Sequence, residues 1–162
     1  MLRRNDNDLP KEILSKMGRL AESVLIADSQ SSLLGIEGAA AQQYFGRFNS
    51  MLKTDSEFHM EGRNKRPPSD PINAVLSYLY GILAKEVFVT LNSVGFDPYL
   101  GFYHRPRYGK PALALDLMEE FRPIIADSTA ITLFNNGEVK KIDFVDIGAG
   151  VSMRKEAKRT MI

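Results

Sequence analysis

Apolar residues recur at helical spacing along much of this chain, and the pattern predicts a mainly α-helical protein. The first predicted helix follows Pro10, and its apolar positions are Ile13, Leu14, Met17, Leu20, Val24 and Leu25. The polar run 28–32 interrupts the pattern, and a serine within it is suited to cap a second helix. The apolar stripe of that second helix comprises Leu33, Leu34, Ala40, Ala41, Tyr44, Phe45, Phe48, Met51 and Leu52.

A third helix is predicted after a loop that is rich in charge, glycine and proline. Residues 53–69 form this loop, which we expect to be long and mobile. Asp70 as the cap and Pro71 in the first turn open the helix, and Gly95 is its expected stop. Its core positions are Ile72, Val75, Leu76, Leu79, Leu83, Val87 and Leu91.

The rest of the chain predicts an ordered loop followed by a bent helix. Residues 96–111 are rich in glycine, proline and aromatic residues, and they include His104. A fourth helix should start near Pro111 and bend at Pro123, because proline there cannot donate a hydrogen bond to the carbonyl of Glu119. It should continue to Phe134, before a turn at 135–137 and a short extended or irregular segment at 139–147. The final residues read as the beginning of another helix.

Composition indicates an ordinary globular protein. The chain has 162 residues, of which 44% are hydrophobic and 25% charged, so a single helical domain over 1–162 is expected. Cysteine is absent, which excludes disulfides, thiolate nucleophiles and zinc sites built on sulfur. The first ten residues lack the apolar core of a secretory signal, and no apolar run approaches the roughly 20 residues of a membrane span. A cytoplasmic protein is therefore expected.

Basic residues gather in short stretches although the net charge is only +1. The overall balance does not indicate a nucleic-acid binder, whereas local clusters are suited to contact phosphate groups. A solvated charged surface is the alternative for each cluster. The candidate phosphate-binding residues are Arg63, Lys65, Arg66, Arg105, Arg107, Lys110 and Arg122.

Four residues could form a site for a hard divalent cation. Glu37 interrupts the apolar stripe of the second helix, so its side chain should point toward the interior or a cleft, where a metal ion or a buried salt bridge would compensate its charge. His104 lies on the aromatic loop, where packing without ligation is the alternative. Asp116 and Glu119 are three residues apart and share a helix face, although acids near a helix start also complement the helix dipole. Carboxylates with one imidazole suit Mg²⁺ or Mn²⁺.

Three consecutive blocks of the sequence carry a recognisable pattern, namely GIEGAAAQQYF at 35–45, KRPPSDPINAVLSYLYGIL at 65–83 and GFDPYLGFYHRPRYGKPALALDLMEEFRP at 95–123. These blocks resemble the integrase family of CRISPR spacer acquisition. They lie between residues 35 and 123, a span of more than half of the chain, and occur in the family's order. The resemblance implies a multi-helical catalytic domain that lacks the family's β-rich N-terminal domain and its last helices.

The resemblance also implies an activity and roles for the candidate residues. The family cleaves DNA and transfers DNA strands with a divalent ion, Mg²⁺ or Mn²⁺, and its members serve antiviral defence. The implied metal ligands are Glu37, His104 and Glu119, and Asp116 is implied as a neighbouring catalytic residue that orients the site or contacts the ion. The implied partners are DNA and a small companion adaptation protein.

Other interpretations of the sequence remain open. A noncatalytic helical module could bind nucleic acid or protein through the basic clusters, with Glu37 in a salt bridge, and an inert truncated product is a third possibility. Helices that have lost their neighbours would expose large apolar stripes, so we expect a homodimer or higher self-association.

Overall fold

The computed structural model describes residues 11–53, 55–64 and 66–161, and it is mainly helical, as predicted. The chain divides into two compact units, residues 1–64 and residues 65–162, which are described separately. Pro10 and Lys65 lie outside the described residues.

The first unit contains a pair of helices and a short helical turn. Helix α1 spans Lys11–Leu25 and helix α2 spans Gln30–Phe45, and the two pack against each other. The predicted serine cap of α2 is Ser29, whose side chain accepts a hydrogen bond from the backbone N–H of Ser32. The second helix is shorter than predicted, because a 3₁₀ turn at Phe48–Met51 replaces its last part.

Burial in this unit concentrates after α2. Within α2 only Phe45 is buried, whereas Leu34 is half exposed, so the part of the predicted apolar stripe that lies on α2 is mostly not a core face. The other buried side chains follow α2, and the first three of them also belong to the predicted stripe: Phe48, Met51, Leu52, Phe58 and Met60. Asn49 fastens the loop to the 3₁₀ turn by donating to the Met60 carbonyl and accepting from the Met60 N–H, at 2.7 and 2.9 Å.

The second unit is built around helix α3, which spans Pro71–Ser93. Asp70 caps it as predicted by accepting from the N–H of Asn73 at 2.8 Å, and Gly95 follows the helix end with a φ of 88°. The buried face of α3 includes Ile72, Val75, Leu76, Leu79, Tyr80, Leu83 and Leu91. By length and mean hydropathy this helix could span a membrane, but the core helix of a water-soluble protein passes the same test.

Three helical segments pack on or near α3 in an almost continuous rod. Helix α4 spans Ala112–Phe121, a π-helical segment spans Arg122–Asp127, and helix α5 spans Ser128–Asn135. Where the sequence predicts a bend at Pro123, the structure has a π-helical segment. Pro123 has no N–H to donate to the carbonyl of Glu119, so the regular α-helical hydrogen bond is missing there. Gly137 completes the predicted turn with a φ of 67°.

The end of the chain forms a small hairpin and a short helix. Strand β1 at Phe144–Asp146 pairs antiparallel with strand β2 at Val151–Met153, and helix α6 spans Lys155–Thr160. The pairing of the two strands was not predicted, because β2 is only three residues long and carries no clear alternation. The N–H of Val151 donates to the carbonyl of Pro68 at 2.7 Å, which ties the hairpin to the residues before α3.

Candidate functional site

The carboxylate of Asp116 on α4 organises the aromatic loop that precedes this helix. It accepts hydrogen bonds from the backbone N–H groups of Phe102, Tyr103 and His104, at 2.7, 2.9 and 2.8 Å. Nδ1 of the His104 imidazole lies 2.7 Å from Asp116 Oδ1. One carboxylate therefore sets both the path of the loop and the orientation of the imidazole.

Gly101 permits this close approach of loop and helix. An added Cβ at Gly101 would lie 2.6 Å from the Cβ of Ala112 and 2.9 Å from Oδ2 of Asp116, both far inside van der Waals contact. Ala112 is itself fully buried. Only glycine fits this position without a shift of the backbone.

Hydrogen bonding determines the ionisation of Asp116. Burial by itself raises the pKa of this carboxyl, but the N–H groups of Tyr103 and His104, the imidazole and the N–H of Phe102 lower it more, so the net pKa lies below its usual value. The side chain of Asp116 is 13% exposed and that of His104 is 23% exposed. A carboxylate on Nδ1 favours the tautomer with the proton on Nδ1, which leaves Nε2 as the lone-pair nitrogen.

Glu119 lies one helical turn beyond Asp116 and forms an ion pair with Arg122. The pair joins Oε2 of Glu119 to a terminal nitrogen of Arg122, three residues later. The Glu119 side chain is 30% exposed and that of Arg122 is 14% exposed. The guanidinium of Arg122, a predicted phosphate-binding group, is therefore largely buried and already holds a carboxylate.

The structure brings His104 and Asp116 together but assembles no complete metal site. Among residues 11–53, 55–64 and 66–161, no group of three or more histidine, aspartate or glutamate side chains is arranged to hold an ion. Glu37 belongs to the first unit and is exposed, so of the two predicted orientations the one into the interior is wrong, while the one toward a cleft stays a prediction.

The basic candidates differ in their surroundings. Arg63 is half buried, its guanidinium carbon lies 6.0 Å from the ring centroid of Phe45, and its side chain donates to the carbonyl of Asn64. The remaining described candidates are exposed, namely Arg66, Arg105, Arg107 and Lys110. A tight turn orders the last two, since the N–H of Lys110 donates to the carbonyl of Arg107 at 2.9 Å.

Exposed aromatic residues accompany the basic residues of the loop. Phe102 is 93% exposed and Tyr108 is fully exposed. An open groove of about 560 Å³ is lined by Tyr99, Pro106, Arg107, Tyr108 and Gly109. The loop and the start of α4 contain no acidic residue from 98 to 115, so this surface is suited to an anionic partner with apolar faces.

Two residues of the second unit were not identified from the sequence. Tyr80 on α3 donates to Oδ1 of Asp127 at 2.5 Å, and Asp127 is 2% exposed. Asp127 interrupts the largely apolar segment from Ile124 to Phe134. A carboxylate in a segment that is expected to be buried needs a polar partner, and this pattern could have identified Asp127 from the sequence. Nothing in the sequence indicated a polar contact of Tyr80, because an aromatic residue on the buried face of a helix is explained by packing alone.

Known proteins resemble this chain along its whole length. The family model described as CRISPR associated protein Cas1 matches residues 1–162. A CRISPR-associated exonuclease Cas4/endonuclease Cas1 fusion from Geobacter sulfurreducens is 45% identical, over 100% of this chain and 31% of the relative. The CRISPR-associated endonuclease Cas1 3 of Thermus thermophilus is 46% identical, over 86% of this chain and 42% of the relative. The chain thus spans less than half the length of these two relatives.

Solved structures share the fold. A CAS1 protein from Thermotoga maritima superposes with a TM-score of 0.84 at 27% identity, over 90% of this chain and 47% of that chain. A casposase bound to its integration product gives a TM-score of 0.79 at 27% identity, over 93% of this chain and 45% of that chain. A partial Cas6-RT-Cas1–Cas2 complex gives a TM-score of 0.83 at 35% identity, over 93% of this chain and 46% of that chain.

Proposed function

This chain belongs to the family of CRISPR associated protein Cas1, and on this premise we propose that it is the helical catalytic portion of a metal-dependent DNA endonuclease and integrase of spacer acquisition. The observation that carries the proposal is the hydrogen bond between His104 and Asp116, which leaves Nε2 of the imidazole without a partner among the described residues. Relatives bear the name endonuclease, and a structural neighbour is a casposase bound to an integration product.

The donor atoms fit a hard divalent cation. His104 Nε2 has no hydrogen-bond partner among the described residues, and the ion pair of Glu119 engages only Oε2. Glu37, His104 and Glu119 would hold the ion, with Asp116 as the residue that orients the imidazole. When bound, Mg²⁺ or Mn²⁺ would polarise a phosphodiester and lower the pKa of the attacking oxygen.

The chain's own residues divide the remaining tasks. Asp116 keeps the proton on His104 Nδ1 and holds the loop near α4. The exposed Arg105, Arg107 and Lys110 would bind DNA phosphates, while Glu37 would be the remaining ligand of the ion. With water as the nucleophile the reaction is cleavage, and with a DNA 3′-hydroxyl it is strand transfer.

The proposed partners follow from the family. One structural neighbour is a complex that contains Cas1 and Cas2, which supports a small companion protein of the Cas2 type for this chain. We also propose self-association as a homodimer or higher assembly, since apolar side chains such as Leu25, Ile26 and Phe102 are largely exposed. We also propose a role in antiviral defence, which the protein would perform in the cytoplasm, where its DNA substrates occur.

The test is nicking of supercoiled plasmid DNA by this chain with Mn²⁺, with Mg²⁺ and with a chelator. We expect nicking that needs the ion and disappears in Glu37→Ala. Glu22→Ala is the matched control, because it removes an exposed glutamate from α1 outside the proposed site. Salt-sensitive DNA binding without any nicking would select the noncatalytic module instead, and neither binding nor nicking would indicate an inert product.

A further inference from the structure

Glu119 is attached to the core of the second unit through a chain of polar contacts. Its carboxylate pairs with Arg122, and the guanidinium carbon of Arg122 lies 4.4 Å from the ring centroid of Tyr80. The phenol of Tyr80 donates to buried Asp127 at 2.5 Å. The contacts therefore run from a surface carboxylate to a buried one through an arginine and a tyrosine.

The π-helical segment makes this chain of contacts possible. Arg122 is its first residue and Asp127 is its last, so both ends of the same segment meet Tyr80 on α3. Pro123, which cannot make the regular α-helical hydrogen bond, lies in this segment. Glu119 lies three residues before Arg122, which is the spacing at which two side chains on a helix face each other.

Arg122 is a strongly held cation. Burial lowers the pKa of its guanidinium, but the charge of Glu119 and the nearby Tyr80 raise it more, so the net shift is upward. Burial, followed by the charge of Asp127, raises the pKa of Tyr80, so this phenol stays protonated and keeps its hydrogen bond to Asp127. The planar guanidinium can stack on a ring and donate to a carboxylate at the same time, whereas an ammonium group cannot reproduce that geometry.

We propose that Arg122 is a positioning residue that holds Glu119 by Oε2 and presents Oε1 as a ligand for the divalent ion. The proposal rests on the proposed function, because it needs an ion at Glu119. Fixing one oxygen removes most of the side-chain freedom of Glu119 before the ion arrives, so ion binding does not have to order it. Partners of this kind, which hold a ligating carboxylate without touching the ion, commonly matter 10- to 100-fold in affinity.

The same positive charge could instead compete with the ion for Glu119. One observation favours positioning. The pair engages only Oε2, so the second oxygen needs no exchange of partners. Competition predicts tighter ion binding once Arg122 is removed, whereas positioning predicts weaker ion binding.

The experiment is calorimetric titration of Mn²⁺ into this chain and its variants, with the free energy of unfolding measured on each sample. Arg122→Gln should weaken Mn²⁺ binding about 10- to 100-fold. Arg122→Lys retains the charge but loses the planar contact with Tyr80, so we expect an intermediate loss and a folded protein. Arg47→Gln, which changes an exposed arginine in the first unit, should leave the affinity unchanged.

The outcomes separate this inference from the proposed function. If the parent binds no Mn²⁺, or if Glu119→Gln binds it as well as the parent, the proposed metal centre fails and the role of Arg122 fails with it. If Glu119→Gln loses binding while folded Arg122→Gln and Arg122→Lys match the parent or bind more tightly, only the positioning role is overturned. An Arg122→Gln variant that does not fold leaves the decision to Arg122→Lys.

Discussion

Nδ1 of His104 lies 2.7 Å from Oδ1 of Asp116, and the same carboxylate also receives three backbone N–H groups of the loop that carries the histidine. The two residues are twelve positions apart in sequence. Asp116 thus holds the whole loop in place, and its ionisation should be visible in the stability of the second unit.

Asp116 should make stability depend on pH in the acid range. Its pKa is lowered in the folded state, so its contribution is fully present above the unfolded value of about 4 and is lost as pH falls through the lower folded value. Replacement by asparagine should cost about 1–3 kcal/mol at pH 7, because the amide cannot accept all four donors. Urea unfolding from pH 7 to pH 2 should show the difference between parent and variant shrinking toward low pH. Asp55→Asn, at an exposed position, is the control, and a pH-independent difference for Asp116→Asn would contradict the assignment.

Gly101→Ala should destabilise the protein by about 1–3 kcal/mol through overpacking. The added methyl group would clash with Ala112 and Asp116. Because Ala112 is buried, the backbone cannot shift away from the clash without disturbing the packing around it. Gly81→Ala is the matched control on α3, where an added Cβ meets nothing within 4 Å. That change should be neutral or stabilise by about 0.5–1 kcal/mol, since alanine favours a helix. Thermal unfolding of both variants gives the comparison, and equal stabilities would argue against the tight approach of loop and helix.

Glu119 should be the direct third ligand beside Glu37 and His104, with Asp116 in support. All the contacts of Asp116 serve the loop and the imidazole, whereas Glu119 keeps one oxygen without a partner among the described residues. In calorimetric titration with Mn²⁺, Glu119→Gln should lose most of the affinity and Asp116→Asn should keep measurable binding. The reverse ranking would move the ion one helical turn toward the start of α4.

The exposed basic residues of the aromatic loop should bind DNA through phosphates without reading its sequence. Arg105→Gln combined with Arg107→Gln should weaken binding and reduce the slope of log affinity against log salt by about 2, since each lost phosphate contact on duplex DNA removes about 0.9. Lys140→Gln with Lys141→Gln removes two exposed charges elsewhere in the same unit and is the control. Fluorescence anisotropy at several salt concentrations measures the slopes, and equal slopes for the two double variants would exclude the loop as a phosphate contact.

The sequence also predicted a second phosphate-binding loop at Arg63, Lys65 and Arg66. In the structure Arg66 is exposed, whereas Arg63 packs near Phe45 and Lys65 lies outside the described residues. The difference arises because Arg63 can cover an aromatic ring with its stem and guanidinium, and no local sequence pattern announces such a contact.

The sequence by itself determined the features that depend on neighbouring residues. Asp70 caps α3, Ser29 caps α2, and Pro123 interrupts the helix after Glu119, because each effect acts within one turn of the backbone. The resemblance of three sequence blocks likewise indicated the family before any coordinates. These signals are short in range, so a linear pattern carries them.

Only the tertiary structure decided which polar groups meet. The three N–H groups on Asp116 come from residues twelve to fourteen positions away, and the contact of Tyr80 with Asp127 spans forty-seven. The exposure of Glu37 was likewise decided by packing, because helical periodicity shows which face a residue occupies and not whether another element covers that face. Long-range packing determines whether a charged side chain contacts water, a loop or an arginine. These contacts decide whether a carboxylate holds the fold together or is left to bind an ion.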